Sequence, residues 1–100
     1  MSMTGKERAA LRAEAHHLDV KVHIGHAGIT PAILTSLDDV LRTHELVKLQ
    51  VAKVGDLSAR EAANDVAAAM RADVIQVFGR TFTVFRENPD LKRGELPPWR

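Results

Sequence analysis

The order of periodic segments predicts an α/β fold of the α+β kind, with a four-stranded mixed sheet packed by helices. Helical and strand patterns follow one another as α-β-α-β-α-β-β along the 100 residues. Strand–helix–strand units favour parallel pairs with right-handed crossovers, and the last two strands are close enough to form an antiparallel hairpin. A chain of this length supports one core. We expect one domain over residues 1–86 and a tail over 87–100.

Local signals mark the start of each predicted helix. Two capping boxes place Ser or Thr three residues before Glu, and a Thr-Pro pair supplies an N-cap and a first helical residue for the middle helix. The helices predicted from these signals and from apolar periodicity start after Thr4, Thr30 and Ser58 and end near His17, His44 and Met70.

Alternating apolar and polar side chains predict strands at 20–24, 46–54 and 81–86. Residues 74–78 show little polar alternation, which is typical of a central strand. We expect Gly55-Asp56 to end the second strand and Gly79-Arg80 to form the hairpin turn. The last stretch, ENPDLKRGELPPWR, lacks periodicity and is interpreted as a tail, partly extended near residues 96–98.

Composition excludes several classes of protein. The net charge is +1, from 14 basic and 13 acidic residues, so an anionic partner must be held by a local patch. Cysteine is absent, which excludes disulfides and thiolate zinc sites and favours a reducing cytoplasm. No apolar run is long enough to span a membrane.

The segment VKVHIGHAGIT, residues 20–30, places Gly25-His26-Ala27-Gly28 between a strand and the helix start at Thr30. The two glycines could form a plain tight turn. They could also clamp a nucleic-acid backbone, because glycine admits a phosphodiester and the amides at a helix start favour anions. A dinucleotide site is disfavoured, because the third glycine of GxGxxG is missing. Spacing alone leaves the turn and the clamp open.

Basic side chains near this loop are candidate phosphate contacts. Arg8, Arg12 and His16 stand four residues apart and would flank the loop if the first helix packed beside the first strand. The alternative is an ordinary solvated helix face. Lys21 and Arg80 are further candidates.

No metal, cofactor or catalytic site is predicted. The histidines at positions 16, 17, 23 and 26 lack a paired carboxylate at a usual ligand spacing. Asp38-Asp39 lies on the polar side of a helix, and no nucleophile accompanies a base and an orienting group. We expect neither an enzyme nor a small-molecule substrate.

Four ordered segments carry a family resemblance: TGKERAALRAEAHHL, VHIGHAGIT, HELVKLQV and VIQVFGRTFTVFR. Together they resemble the CRM domain (chloroplast RNA splicing and ribosome maturation), in its bacterial stand-alone form, over about residues 4–86. The resemblance implies a fold similar to the C-terminal domain of translation initiation factor three. It also implies RNA binding, with ribosomal RNA of a large-subunit precursor as the partner.

Carried over by position, the resemblance assigns RNA contacts to Gly25, His26, Ala27 and Gly28, with Arg8 and Arg12. The first departure is His26, where family loops usually carry lysine or arginine, and the second is Ala27, where glycine is frequent. A histidine carries its charge only in part near neutral pH, so its phosphate contact should be weaker and sensitive to pH.

The sequence therefore favours a non-enzymatic RNA-binding protein of large-subunit assembly. In this hypothesis the amides near Thr30 face phosphate, and Lys21 and Arg80 add charge. The alternative is a protein–protein interaction module in which the GxxG loop is only a turn. The oligomeric state and the bound RNA are left open.

Overall fold

The computed structural model describes residues 4–53 and 57–88. It confirms the predicted α+β fold, with three helices and a four-stranded mixed sheet. The elements in chain order are α1 Gly5–Ala15, β1 Val20–Ile24, α2 Pro31–His44, β2 Leu46–Val51, α3 Ala59–Met70, β3 Asp73–Phe78 and β4 Thr81–Phe85.

The sheet has the strand order β1-β2-β4-β3. β1 and β2 are parallel, as expected for strands joined through a helix, whereas β4 is antiparallel to both β2 and β3. The carboxyl ends of β1 and β2 therefore meet the amino end of β4 and the hairpin turn at one end of the sheet. The GxxG loop follows β1 at that end.

The main core lies between one face of the sheet and the helices α2 and α3. Alternate residues of every strand point into it, and the small alanines of α3 bring that helix close to the sheet. Its fully or nearly fully buried members include Ile24, Leu37, Leu41, Val47, Leu49, Ala62, Ala63, Val66, Phe82 and Val84.

The opposite face of the sheet is covered only in part, by α1. Leu11 of α1 packs with Leu46, Ile75 and Phe85 in a second, smaller cluster. These three residues belong to β2, β3 and β4, so α1 lies over the end of the sheet remote from the GxxG loop. The other end of this face is left without a helix among the described residues.

The expectation that residues 74–78 form a central strand is wrong, because β3 pairs with β4 alone and lies at an edge. The apolar residues of β3 are explained by contacts on both faces of the sheet. Val74 and Val77 pack on the main core, while Ile75 faces α1. A register irregularity between Val74 and Gln76 accompanies this switch of face. Contacts on both faces of the strand thus account for its apolar residues Val74, Ile75 and Val77.

The local helix signals are confirmed. Both capping boxes form, Thr4 with Glu7 and Ser58 with Glu61, and the Thr30 hydroxyl accepts the Ile33 amide at 3.2 Å. α1 ends at Ala15 rather than His17, because the chain turns there and the His17 amide donates to the Glu14 carbonyl.

Some predicted features lie outside the described residues, namely the turn at Gly55-Asp56 and the tail from residue 89 onward. The described chain continues past β4 to Asn88. The Asn88 side-chain amide donates to the Arg42 carbonyl at 2.7 Å, and its backbone N–H donates to the carboxylate of the buried Glu45. These bonds tie the first residues after the sheet to the end of α2.

Candidate nucleic-acid interface

The GxxG loop is a tight turn closed by its own backbone. The Gly28 amide donates to the Gly25 carbonyl at 3.0 Å. Gly28 has a φ of +73°, a left-handed conformation that favours glycine. His26 and Ala27 occupy the tip of the turn and are exposed. The turn therefore presents two side chains and its amides to solvent directly after a buried strand.

Gly25 is not explained by the turn. Its φ is not positive, and a Cβ built on it would meet no atom within 4 Å. Neither backbone conformation nor packing thus requires glycine at position 25. A ligand that approaches the main chain would require it, because a side chain there would occupy the space of the ligand. The plain-turn explanation covers Gly28 but leaves Gly25 unaccounted for.

The start of α2 adds a partial positive charge beside this turn. Thr30 is the N-cap, Pro31 is the first helical residue, and the first turn contains no acidic side chain. The unpaired amides and the helix dipole at such an end favour an anion. The arrangement suits a phosphate lying against the GxxG loop.

Strand pairing brings Arg80 to the same place. The Ala52 amide donates to the Ile24 carbonyl, directly before Gly25, at 2.8 Å. On its other side, the Ala52 carbonyl accepts the Arg80 guanidinium at 3.4 Å. The end of β2 therefore has the loop on one side and Arg80 on the other, although Arg80 and Gly25 are 55 positions apart in the sequence.

A cleft of about 440 Å³ lies between Arg80 and the GxxG loop. We call it the loop cleft; it is lined by His23, Ile24, Gly25, Gln50, Val51, Ala52, Lys53 and Arg80. Lys53 and His23 also line this cleft, and neither was among the contacts predicted from the sequence. Lys53 could have been found from its position, because it follows β2, the parallel neighbour of β1.

Lys21 lies on β1 but does not line the loop cleft. It is the extra residue in a register irregularity between Val20 and Val22, and it is exposed. Burial still alternates from Lys21 to Ile24, so the Lys21 side chain lies on the exposed side of the strand. Lys21 is thus available to a ligand that extends along β1 and not to one confined to the cleft.

The basic row of α1 is not beside the loop. α1 packs on β3 and β2 rather than beside β1, which was the condition for Arg8, Arg12 and His16 to flank the loop. The Arg8 guanidinium donates to the Val74 carbonyl at 3.0 Å and so joins α1 to the far edge strand. Arg12 is exposed, and the His16 ring lies 3.3 Å from the Gln76 amide.

The acidic pair on α2 is engaged in ion pairs. Asp38 lies 2.9 Å from the Arg86 guanidinium, and Asp39 lies 3.3 Å from that of Arg42. Within residues 4–53 and 57–88, no group of three or more histidine and carboxylate side chains is arranged to hold a metal ion. No helix in the same part of the chain is long and apolar enough to cross a membrane.

The glycine turn, the start of α2 and the basic side chains of Arg80 and Lys53 thus lie together at one end of the sheet. The family model for the CRS1/YhbY (CRM) domain matches residues 3–86, and the chain belongs to this family. The resemblance noted in the sequence is thereby confirmed.

Relatives extend this result. The probable RNA-binding protein YqeI of Bacillus subtilis is 31% identical over 99 residues, covering 95% of this chain and 99% of the relative. The probable RNA-binding protein PA4753 of Pseudomonas aeruginosa is 28% identical, covering 89% of this chain and 86% of the relative. The solution structure of the hypothetical protein SAV1595 from Staphylococcus aureus, described as a candidate RNA-binding protein, is 33% identical with a TM-score of 0.76, covering 96% and 100% of the two chains.

Proposed function

We propose that this protein is a non-enzymatic RNA-binding protein that clamps an RNA backbone at the GxxG loop. The observation that carries the proposal is the convergence of the exposed GxxG turn, the start of α2 and Arg80 at one end of the sheet, around a cleft whose described lining residues include no acidic side chain. Phosphate would lie on the turn Gly25–Gly28 and on the amides at the start of α2. Arg80, Lys53 and, when charged, His26 would add the positive charge.

The names of the relatives support RNA as the partner. The finer proposal is ribosomal RNA, bound in the cytoplasm during assembly of the large ribosomal subunit. It rests on the family resemblance alone. Backbone contacts of this kind position a protein without reading sequence, so selectivity would come from RNA shape or from other proteins on the particle.

The test compares two variants that add the same charge in different places. Gly25→Asp puts a carboxylate into the loop, where a Cβ fits without a clash, so the fold should be retained. Asn64→Asp puts one on an exposed position of α3 and serves as the matched control. Each protein is followed by sucrose-gradient sedimentation of cell lysate and by filter binding to RNA.

We expect wild type and Asn64→Asp to sediment with particles near the large subunit, and Gly25→Asp to stay in the free fraction. Equal co-sedimentation of all three would show that the loop does not clamp RNA. Free migration of all three, with RNA binding retained in the filter assay, would remove the ribosomal part of the proposal and leave RNA binding.

A further inference from the structure

The sheet face on the α1 side ends in a row of side chains that no described element covers. We call it the open row: His23, Gln50, Thr81 and Phe78, one residue from each strand. These residues are direct neighbours across the sheet, because His23 pairs with Gln50, Gln50 with Thr81 and Thr81 with Phe78. Their strand neighbours Ile24, Val51, Phe82 and Val77 belong to the opposite face, so the open row points to the α1 side.

α1 ends before it reaches this row. The Ala15 carbonyl, at the end of the helix, accepts the Lys48 ammonium at 3.5 Å, and the adjacent His16 contacts Gln76. Lys48 and Gln76 flank Thr83 in the next row, and Thr83 is only 2% exposed. In the open row, which is the next row toward the GxxG loop, His23, Gln50 and Phe78 are exposed.

Phe78 stands out on this surface. It is 71% exposed, and it is the one exposed large hydrophobic side chain within residues 4–53 and 57–88. Its backbone is held, because the Thr81 hydroxyl donates to the Phe78 carbonyl at 2.8 Å across the Gly79-Arg80 turn. An exposed aromatic ring at a fixed strand end, paired in the sheet with Thr81, is an arrangement on which unpaired bases stack.

The open row is continuous with the loop cleft. His23 and Gln50 belong to both, and the cleft then leads to Gly25 on one side and Arg80 on the other. The titratable side chains lining the cleft are His23, Lys53 and Arg80, and none of its described lining residues is acidic. The surface thus combines positive charge at the loop with hydrogen-bonding groups and an aromatic ring on the sheet.

We propose that single-stranded RNA leaves the GxxG loop, crosses the open row from β1 to β3 and stacks an unpaired base on Phe78. The proposal rests on the RNA-binding function proposed above and names its substrate as an unpaired segment rather than a duplex. Three inter-strand spacings separate β1 from β3, about 14 Å, so a short run of nucleotides spans the row. Gln50 and Thr81 offer hydrogen-bond partners to base edges along the way.

The test uses the full chain and two RNA probes of equal length, a labelled single-stranded 12-mer and a blunt duplex. Binding is measured by fluorescence anisotropy for wild type, Phe78→Ala, Phe78→Leu and Phe78→Trp. We expect Phe78→Ala to weaken single-strand binding by about five- to 150-fold, the range for losing one stacked base. Phe78→Leu, which keeps the apolar bulk but not the ring, should also weaken it. Phe78→Trp should keep wild-type affinity and change its fluorescence on binding.

The salt dependence separates this contact from the phosphate contacts. Stacking releases no counterions, so Phe78→Ala should leave the slope of log affinity against log salt unchanged, whereas the loop variant should alter it. Duplex binding should change by less than about twofold, since a duplex has no unpaired base to stack. Thermal melting of each variant checks the fold, and an exposed side chain should tolerate all three replacements.

The outcomes separate the proposed RNA binding from the proposed stacking on Phe78. If wild type binds neither probe, the RNA-binding function itself fails. If wild type binds RNA and Phe78→Ala binds the single strand equally well, the stacking proposal alone fails. It also fails if wild type is a dimer by analytical ultracentrifugation that Phe78→Ala converts to a monomer with unchanged RNA affinity, because the open row would then bind a second copy.

Discussion

The guanidinium of Arg80 lies 3.4 Å from the carbonyl of Ala52, whose amide in turn bonds to the residue before Gly25. The backbone of Ala52 thus bonds to the Arg80 guanidinium through its carbonyl and to the residue before the GxxG loop through its amide. Strand pairing therefore places Arg80 and the loop on either side of Ala52, and we propose that this site is formed before a ligand binds. Preformed sites lose less conformational entropy on binding.

Replacement of Arg80 should weaken RNA binding through charge alone. For Arg80→Gln we expect an affinity loss of about fivefold, the equivalent of about 1 kcal/mol, and a salt slope smaller by about one phosphate contact. Titrations at several salt concentrations measure both. Arg60→Gln, an exposed arginine on α3, is the matched control, and an equal change in slope for the control would show that only net charge matters.

Replacement of His26 should strengthen binding. His26→Lys places a permanent positive charge at the exposed tip of the turn. We expect tighter binding at pH 7.5 by roughly two- to tenfold, or about 0.4–1.4 kcal/mol. Fluorescence anisotropy titrations measure the gain, and an unchanged affinity would mean that the side chain at position 26 does not contact phosphate.

The two arginines of α1 should behave differently from each other. Arg8→Ala removes the hydrogen bond to the Val74 carbonyl and should lower the free energy of unfolding by about 1 kcal/mol. Arg12→Ala, at an exposed position of the same helix, should change it by less than about 0.5 kcal/mol. Urea denaturation followed by circular dichroism measures both. Equal stability of the two variants would contradict a structural role for Arg8.

Arg71 offers a stabilising substitution. It ends α3 with φ 54° and ψ 43°, a left-handed conformation that costs a residue bearing a Cβ about 1–2 kcal/mol. Arg71→Gly should stabilise the fold by about 0.5–1 kcal/mol after the entropy of glycine in the unfolded chain is subtracted. The melting temperature should rise by roughly 2–8 °C. Arg71→Ala removes the charge but keeps the backbone strain, so a similar rise for that variant would exclude the backbone explanation.

Local features of the structure could be predicted from sequence, because a few adjacent residues determine them. Thr30-Pro31 gave the start of α2 to the residue, and the capping box at Thr4 gave that of α1. The edge position of β3 could not be predicted in this way. The apolar residues Val74, Ile75 and Val77 contact clusters on opposite faces of the sheet, and those contacts join distant parts of the chain.

The candidate site likewise has features that could be predicted from the sequence and others that depend on tertiary structure. The GxxG turn was visible in the sequence, but Gly25 and Gly28 look alike there, and only the backbone shows that one is required by a left-handed turn and the other is not. The sequence predicted Arg8 as an RNA contact through the family resemblance and named Arg80 only as a further candidate. Antiparallel pairing of β4 with β2 carries Arg80 to the loop, whereas packing of α1 carries Arg8 to the opposite edge.

The placement of α1 also has a consequence for how the chain folds. The apolar stripe of this first helix packs on Ile75 and Phe85, which belong to the last two strands. During synthesis from the amino end, Leu46 emerges before Ile75 and Phe85, so the cluster around Leu11 is incomplete until nearly the whole described chain has been made. A nascent chain that stops before β4 lacks Phe85 and leaves part of this stripe exposed to water. Completion of the fold thus depends on both ends of the domain at once, and contacts of such long sequence separation slow folding.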